Sequence, residues 1–170
     1  MVLTGASDGK DITTAINAGV YVLVLEFRDP VRVRVGALGF LHFEAGSYLY
    51  VGSARRNLRQ RVARHLAVAK RVRWHIDYLT THPGVRVVGA VMVQNMSLTE
   101  CNLAKKIGLD LDGTVPVPAV GMSDCRNRCP AHLWWRRRPT TLDEVVAVLP
   151  GLLVVVVNET VPRTAPAIVF

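Results

Sequence analysis

Five side chains in this sequence of 170 residues have types and positions that could support hydrolytic chemistry: Tyr21, Tyr50, Arg61, His65 and Glu100. A carboxylate can hold a hard divalent cation together with water molecules, and an arginine presents a planar, always charged fork that matches phosphate oxygens. A histidine can accept a proton near neutral pH. If the fold gathers them, these groups suit metal-assisted hydrolysis of a phosphodiester bond.

Each of these residues also has a plainer interpretation. A tyrosine in a strand commonly packs in the core with its hydroxyl at the rim, and an unperturbed phenol with a pKa near ~10 is a poor base. His65 could be a hydrogen-bonded core residue. Ser97 and Glu100 stand at capping-box spacing, and that use would compete with a metal for the Glu100 carboxylate.

The tyrosines belong to segments with strand periodicity. Residues 19–27 carry apolar side chains on both faces, which predicts an inner strand. After a turn at Asp29 and Pro30, valines and arginines alternate over 31–35, as in an antiparallel hairpin whose valines face a core. Further strands are predicted over 40–43 and 48–51, with Gly46 at the turn between them.

The arginine and histidine belong to a predicted helix over 57–69. Its apolar stripe consists of Leu58, Val62, Leu66 and Ala69. At about 100° per residue, Arg61 and His65 fall at the border of this stripe and look towards the sheet, whereas Arg59 and Arg64 point away. Arg61 could still be one member of a solvated basic face, but its position beside the stripe favours the inward orientation.

The remaining elements alternate between helices and strands. Helices are predicted over 74–79, 97–107 and 142–149, and strands over 85–93, 115–120, 133–135 and the last valine-rich segment. This mixture predicts an α+β fold with a small, mainly antiparallel sheet flanked by helices. We expect one domain over 1–170, with a core over 17–138 and a C-terminal helix and strand over 139–170.

Charge favours a polyanionic partner. Lysine and arginine number 21 against 13 acidic residues, which gives a formal net charge of +8 and an isoelectric point near 10.0. The longest apolar run is too short to span a bilayer, so we expect no membrane insertion and a cytoplasmic location. An odd number of cysteines, three, also suits a reducing compartment better than a secreted disulfide framework.

Two groups of arginines are candidates for DNA contacts. The first arginine group is Arg55, Arg56, Arg59 and Arg64; the second arginine group is Arg126, Arg128, Arg136 and Arg137. The second group is interleaved with Trp134 and Trp135, and basic residues among aromatic ones can follow a phosphate backbone. A solvated basic edge is the alternative interpretation.

A cysteine–histidine cluster is a candidate zinc site. It consists of Cys125, Cys129 and His132, with Cys101 as a fourth ligand. The spacing is irregular beside common zinc knuckles. Two alternatives stay open: a disulfide, which would fit an extreme thermophile, or a role limited to fixing a loop, with Ser123 and Asp124 as turn and cap.

Taken together, these pieces resemble the GIY-YIG nuclease superfamily. Residues 19–21, Gly-Val-Tyr, resemble its first motif, and residues 50–52, Tyr-Val-Gly, its second. Arg61 and His65 stand where the family has an arginine and often a histidine on the next helix, and Glu100 stands where a later helix supplies a metal-binding glutamate. An extra hairpin separates the two motifs. The resemblance covers roughly residues 17–138.

Within the superfamily, the sequence is most similar to an uncharacterised archaeal group. The shared pieces are Tyr-Val-Gly-Ser-Ala at 50–54, Trp-His-Ile-Asp-Tyr-Leu at 74–79, Glu-Cys at 100–101, Ser-Asp-Cys at 123–125 and His-Leu at 132–133. In some chains that group's domain is joined to an endonuclease III type glycosylase. The resemblance therefore implies a DNA glycosylase as a partner and DNA repair or processing as the setting.

The resemblance implies a divalent-metal-dependent DNA endonuclease. Glu100 would hold Mg²⁺ or Mn²⁺, Tyr21 resembles the tyrosine proposed as general base, and Tyr50 the one that orients water or phosphate. Tyr21 would need Arg61 and the metal to lower its pKa, and His65 could assist as base. Two alternatives remain: a DNA-binding module without turnover that recruits a repair enzyme, and a protein that binds or cleaves RNA.

Overall fold

A computed structural model describes residues 17–95, 97–117, 120, 125, 129 and 131–158. Its strands are β1 Gly19–Phe27, β2 Val31–Arg34, β3 Phe40–Phe43, β4 Gly46–Ala54, β5 Val85–Gln94, β6 Leu133–Arg136 and β7 Leu152–Val157. Its helices are α1 Leu58–Leu66, α2 His75–Thr80, α3 Glu100–Asp110 and α4 Leu142–Val148, with a short 3₁₀ turn at Gly36–Leu38.

Five strands form one antiparallel sheet in the order β6-β4-β1-β5-β7. The predicted α+β fold with a small antiparallel sheet flanked by helices is confirmed. β1 lies at the centre, which explains why it is apolar on both faces. The C-terminal strand β7 pairs with β5 and so forms one edge of the same sheet.

The two faces of the sheet are covered by different helices. Tyr21 and Leu23 of β1 belong to the core cluster that includes residues of α1, α2 and the β2–β3 hairpin. Val20 and Val22 belong to a second cluster with residues of α3 and α4. The sheet is therefore the middle layer between two helical layers, and its side chains alternate between them.

The β2–β3 hairpin forms a separate two-stranded sheet. Val33 is buried, whereas Arg32 and Arg34 are exposed, so the predicted orientation of valines and arginines is confirmed. The Arg32 guanidinium lies over the Phe40 ring, 4.8 Å from its centroid. The hairpin thus covers the edge of the first core cluster without joining the main sheet.

Several predicted elements have other bounds in the structure or do not form. α1 ends at Leu66, because Val68 and Ala69 are exposed and offer the apolar stripe no further partner. α3 begins at Glu100 rather than at residue 97. No strand forms in the described part of 115–120; Thr114 alone makes a bridge with Trp135, since the neighbouring prolines lack an N–H donor.

Among the described residues, no helix has both the length and the apolar character needed to cross a membrane.

Candidate active site

The candidate site lies where β1 begins and β4 ends. The antiparallel register places Tyr21 opposite Gly52 and Gly19 opposite Ala54. Tyr21 and Tyr50 project from the same face of the sheet, and their ring centroids are 6.3 Å apart. Both side chains are buried. The two predicted tyrosines are therefore neighbours although 29 positions separate them in the sequence.

Gly52 is required by the close approach of the Tyr21 ring. A Cβ atom at position 52 would lie 2.4 Å from Cζ and from the hydroxyl oxygen of Tyr21. Only a residue without a side chain leaves room for the phenol at this place. The glycine of the Tyr-Val-Gly motif thus positions the tyrosine of the neighbouring strand.

We expect Gly52→Ala to destabilise the protein by about 1–3 kcal/mol, because the added methyl group forces the buried Tyr21 ring to shift. Urea denaturation measures the loss. In a Tyr21→Leu background the same glycine substitution should cost clearly less, because the clashing atoms are gone. Equal costs in the two backgrounds would refute this explanation of Gly52.

His65 connects Tyr21 to the interior of the protein. Its Nε2 atom is hydrogen-bonded to the Tyr21 hydroxyl at 3.0 Å, and the side chain is 1% exposed. On the other side of the ring, Nδ1 faces Asp77 Oδ1 at 3.6 Å. Burial lowers the pKa of His65 more than Asp77 raises it, so the imidazole is neutral at physiological pH.

Asp77 is a site residue that the sequence interpretation missed. It is completely buried, and the Arg64 guanidinium donates to both of its oxygens at 3.0 Å. The backbone N–H groups of Arg73 and Trp74 also donate to Oδ2. Its position as third residue of α2 was the available signal, because an acidic group there caps the helix start.

Ser53 joins Arg61 to Glu100. The Arg61 Nη1 atom donates to the Ser53 carbonyl oxygen at 2.8 Å, and the Ser53 hydroxyl donates to Glu100 Oε2 at 2.6 Å. The sequence interpretation did not single out Ser53, although the Tyr-Val-Gly-Ser-Ala segment contains it. One residue of β4 therefore bridges helices that lie on opposite faces of the sheet.

Trp74 supports the two arginines of α1. The guanidinium carbons of Arg61 and Arg64 lie 4.9 Å and 4.5 Å from the centroid of the Trp74 ring. Cation–π contacts of this kind restrict a guanidinium without using its hydrogen-bond donors. The remaining donors of Arg61 are thus held in place beside Glu100.

Glu100 points into the site instead of capping its own helix. The cap of α3 is Thr99, whose side chain accepts from the Asn102 backbone N–H, so the capping-box alternative with Ser97 is wrong. Glu100 Oε1 lies 2.7 Å from His132 Nδ1, and its side chain is 27% exposed. The carboxylate thus keeps access to solvent while two protein groups hold it.

Burial sets the titration behaviour of the two tyrosines. Burial of Tyr21 raises its pKa, and the charge of Glu100 raises it further. The charge and the hydrogen bond of Arg61 lower this pKa, but their effect is smaller than that of burial. Burial likewise raises the pKa of Tyr50. Burial acts to raise the pKa of Glu100, but the contacts with His132 and Ser53 outweigh it and the net pKa is lowered. Both phenols are therefore neutral and Glu100 is ionised.

The predicted DNA-contacting arginines do not form one surface. In the first arginine group, Arg55 and Arg56 are exposed directly after β4, beside the site. Arg59 is partly exposed, and Arg64 is held by Asp77. Of these residues, only Arg55 and Arg56 are fully exposed beside the site.

The second arginine group lies elsewhere or outside the described residues. Arg136 is 4% exposed and donates to Thr140 Oγ1 at 2.7 Å, so it is removed from the predicted DNA surface. Arg137 is exposed but stands near the opposite end of β4, roughly 20 Å from the site at ~3.3 Å per strand residue. Arg126 and Arg128 lie outside the described residues.

The cysteine–histidine cluster predicted from the sequence is assembled next to Glu100. The ligand atoms of Cys101, Cys125, Cys129 and His132 all lie within 4.8 Å of one another. Cys101 follows Glu100 on α3, and His132 contacts the Glu100 carboxylate directly. This cluster could hold a metal ion, and its soft donors fit zinc better than magnesium.

Comparison with known proteins finds one related family. A family model described as "Domain of unknown function DUF123" matches residues 20–153, a range that contains every group of the site described above. No curated protein and no solved structure matches the chain.

Proposed function

The chain belongs to the DUF123 family, whose function is unknown, and we propose that it is a divalent-metal-dependent DNA endonuclease. The observation that carries the proposal is the convergence of Arg61 and Glu100 on Ser53, beside the hydrogen-bonded pair of Tyr21 and His65. A phosphate binder, a metal-binding carboxylate and a proton acceptor are the groups that hydrolysis of a phosphodiester requires.

Glu100 fits a hydrated divalent cation. Ser53 and His132 each engage one of its oxygens, but a carboxylate offers about four lone-pair sites, so both oxygens retain acceptor capacity. Mg²⁺ is commonly bound through one or two carboxylates, water and substrate phosphates. In the proposed site, Mg²⁺ or Mn²⁺ would neutralise charge that develops on the phosphate and the leaving oxygen.

His65 is better suited than Tyr21 to be the final proton acceptor. Burial makes a free tyrosinate unfavourable at position 21, whereas His65 is neutral and its Nε2 atom already faces the phenol. With the Nδ1 proton directed towards Asp77, Nε2 is the acceptor. Tyr21 can then take a proton from the attacking water while its own proton moves to His65, and the phenol stays neutral throughout.

The charge of the chain and its sequence likeness support DNA as the substrate. The net charge is +8, and Arg55 and Arg56 are exposed beside the site, where they can contact flanking phosphates. The motifs around Tyr21, Tyr50 and Glu100 resemble those of the GIY-YIG nucleases. By the same likeness, a DNA glycosylase is the proposed partner and DNA repair the proposed setting.

We expect the purified protein to nick supercoiled plasmid when Mg²⁺ or Mn²⁺ is present and to stop when a chelator is added. Agarose gels that separate supercoiled, open-circular and linear DNA measure the rate. A parallel filter-binding series over increasing salt should show affinity that falls steeply, because phosphate contacts release counterions. Affinity that does not change with salt would contradict binding to the DNA backbone.

A binding module without turnover is the second candidate. The observation in its favour is that Ser53 and His132 already occupy the Glu100 carboxylate, which would hold the glutamate in a purely structural role. In that case the protein would bind DNA but would not cut it, whichever divalent metal is added. The same result would hold for flap, junction, abasic and uracil-containing substrates. Such a result would refute the endonuclease and leave a recruiting role.

A further inference from the structure

The cysteine–histidine cluster beside the candidate active site is made from two separate parts of the chain. Cys101 is the second residue of α3, whereas the other three ligands come from the segment that leads into β6. The Cys129 and His132 side chains are buried, and those of Cys101 and Cys125 are partly buried. Three sulfur donors and one imidazole nitrogen therefore meet at a largely enclosed point between α3 and the edge of the sheet.

Three of the donor pairs lie close to the spacing of tetrahedral coordination. A Zn–S bond of about 2.3 Å places neighbouring sulfur ligands ~3.8 Å apart at the corners of a tetrahedron. In the cluster, Cys125 Sγ lies 3.5 Å from Cys101 Sγ and 3.2 Å from Cys129 Sγ. His132 Nε2 lies 3.7 Å from Cys101 Sγ. Because the structure joins Cys101 and Cys129, that bond must be reduced and the two sulfurs must separate before one ion can occupy the centre.

The position of Cys101 suits a thiolate ligand of a metal ion. It lies in the first turn of α3, an 11-residue helix, where the positive end of the helix dipole stabilises an anion. Three thiolates and one histidine form one of the common ligand sets of structural zinc sites. The positive end of the α3 dipole therefore suits a thiolate ligand, and the donor types match those of structural zinc sites.

A disulfide is the competing interpretation. The structure pairs Cys101 with Cys129. A disulfide would use two of the four donors and would not explain why Cys125 and His132 meet at the same point. One bound zinc ion would explain why all four donor residues meet. It would also link α3 to the segment before β6.

We propose that this cluster binds one structural zinc ion. Zinc bound through His132 Nε2 would fix the ring with its Nδ1 proton directed at Glu100, the carboxylate 2.7 Å away. His132 is then a positioning residue for the glutamate, a role that rests on the proposed endonuclease function. Zinc binding itself is independent of that function.

The test measures zinc directly. The protein purified under reducing conditions and dialysed against metal-free buffer should contain about one zinc ion per chain by mass spectrometry. Replacing the zinc with Co²⁺ should give intense thiolate charge-transfer absorption and tetrahedral d–d bands, which require no variant to fold. A folded protein without zinc, or a single reactive thiol in a denatured sample that was purified without reductant, would overturn the proposal in favour of the disulfide.

Variants identify the ligands. His132→Asn and Cys125→Ser should each reduce zinc content and Co²⁺ absorption, whereas His42→Asn should leave both unchanged because His42 is exposed and remote from the cluster. Full zinc content in the His132 and Cys125 variants would refute the assignment. If these variants do not fold, the Co²⁺ spectrum of the unaltered chain still shows whether the ion has thiolate ligands in a tetrahedral arrangement.

A second measurement isolates the positioning role. Removal of zinc should weaken Mn²⁺ binding at Glu100 by about tenfold or more, read by electron paramagnetic resonance, because a loosened His132 no longer orients the carboxylate. Equal Mn²⁺ affinity with and without zinc would refute positioning. Zinc bound without plasmid nicking would refute only the endonuclease, and nicking by a zinc-free protein would refute only the zinc site.

Discussion

Replacing Arg61 with alanine is expected to slow plasmid nicking by about 10²- to 10³-fold, the range seen when one preorganised donor to a developing charge is removed. The guanidinium lies next to the bridge between Ser53 and Glu100 and is supported by the Trp74 ring. It is therefore held in position before a phosphate arrives. Rates on supercoiled plasmid under saturating Mg²⁺ measure the effect.

Two companion variants sharpen this test. Arg61→Lys keeps the charge but lacks the planar fork, so it should recover only part of the lost rate. Gln60→Ala is the matched control, because Gln60 lies on the same helix and its side chain is exposed. A normal rate for Arg61→Ala, or an equal loss for Gln60→Ala, would remove Arg61 from the site.

The second large effect concerns stability: Asp77→Ala should lower the free energy of unfolding by about 3–5 kcal/mol. The substitution leaves the mostly buried Arg64 guanidinium without its carboxylate partner and removes the acceptor for two backbone N–H groups at the start of α2. It also removes the group that faces His65 Nδ1. Urea denaturation at neutral pH measures the loss.

The same carboxylate predicts a dependence on acid. Burial acts to raise the pKa of Asp77, but the contacts with His65 and Arg64 and the backbone donors lower it well below its usual value. A depressed pKa contributes stability that is fully present above the unfolded value near ~4 and is lost as pH falls towards the folded value. The difference in stability between the unaltered chain and Asp77→Ala should therefore shrink below about pH 4.

Asp143→Ala provides the control, because Asp143 also stands in the first turn of a helix, α4, but is exposed. Its effect should stay within about 0.5 kcal/mol. A loss of similar size at both positions would show that Asp77 acts only as an ordinary helix-capping acid. A loss at Asp77 that persists unchanged in acid would contradict the buried ion pair.

The periodicity of apolar residues predicted how β1 and α1 pack. The two-faced apolar pattern of β1 predicted its central position, and the stripe on α1 predicted that Arg61 and His65 face inward. His65 is in fact buried against Tyr21. These features depend on neighbours a few residues apart, which a linear sequence displays directly.

Pairings between distant residues were not predictable in the same way. α3 begins later than predicted because Thr99, not Ser97, is its N-cap. Local spacing alone does not show which of the two residues caps the helix. The role of Asp77 was not predicted, since nothing nearby in the sequence reveals that Arg64 pairs with it. In the sequence, Arg136 stands directly before two exposed arginines. The pairing of β6 with β4 nevertheless places its side chain in the interior of the protein.

The central place of β1 has a consequence for how the protein acquires its site. Tyr21 meets His65 across 44 positions, and Ser53 meets Glu100 across 47. Such contacts cannot precede the closure of long loops, so they form late and slowly compared with local helices. The assembled site and the native topology should therefore emerge in one kinetic phase, and an excised fragment lacking either partner would carry no partial site.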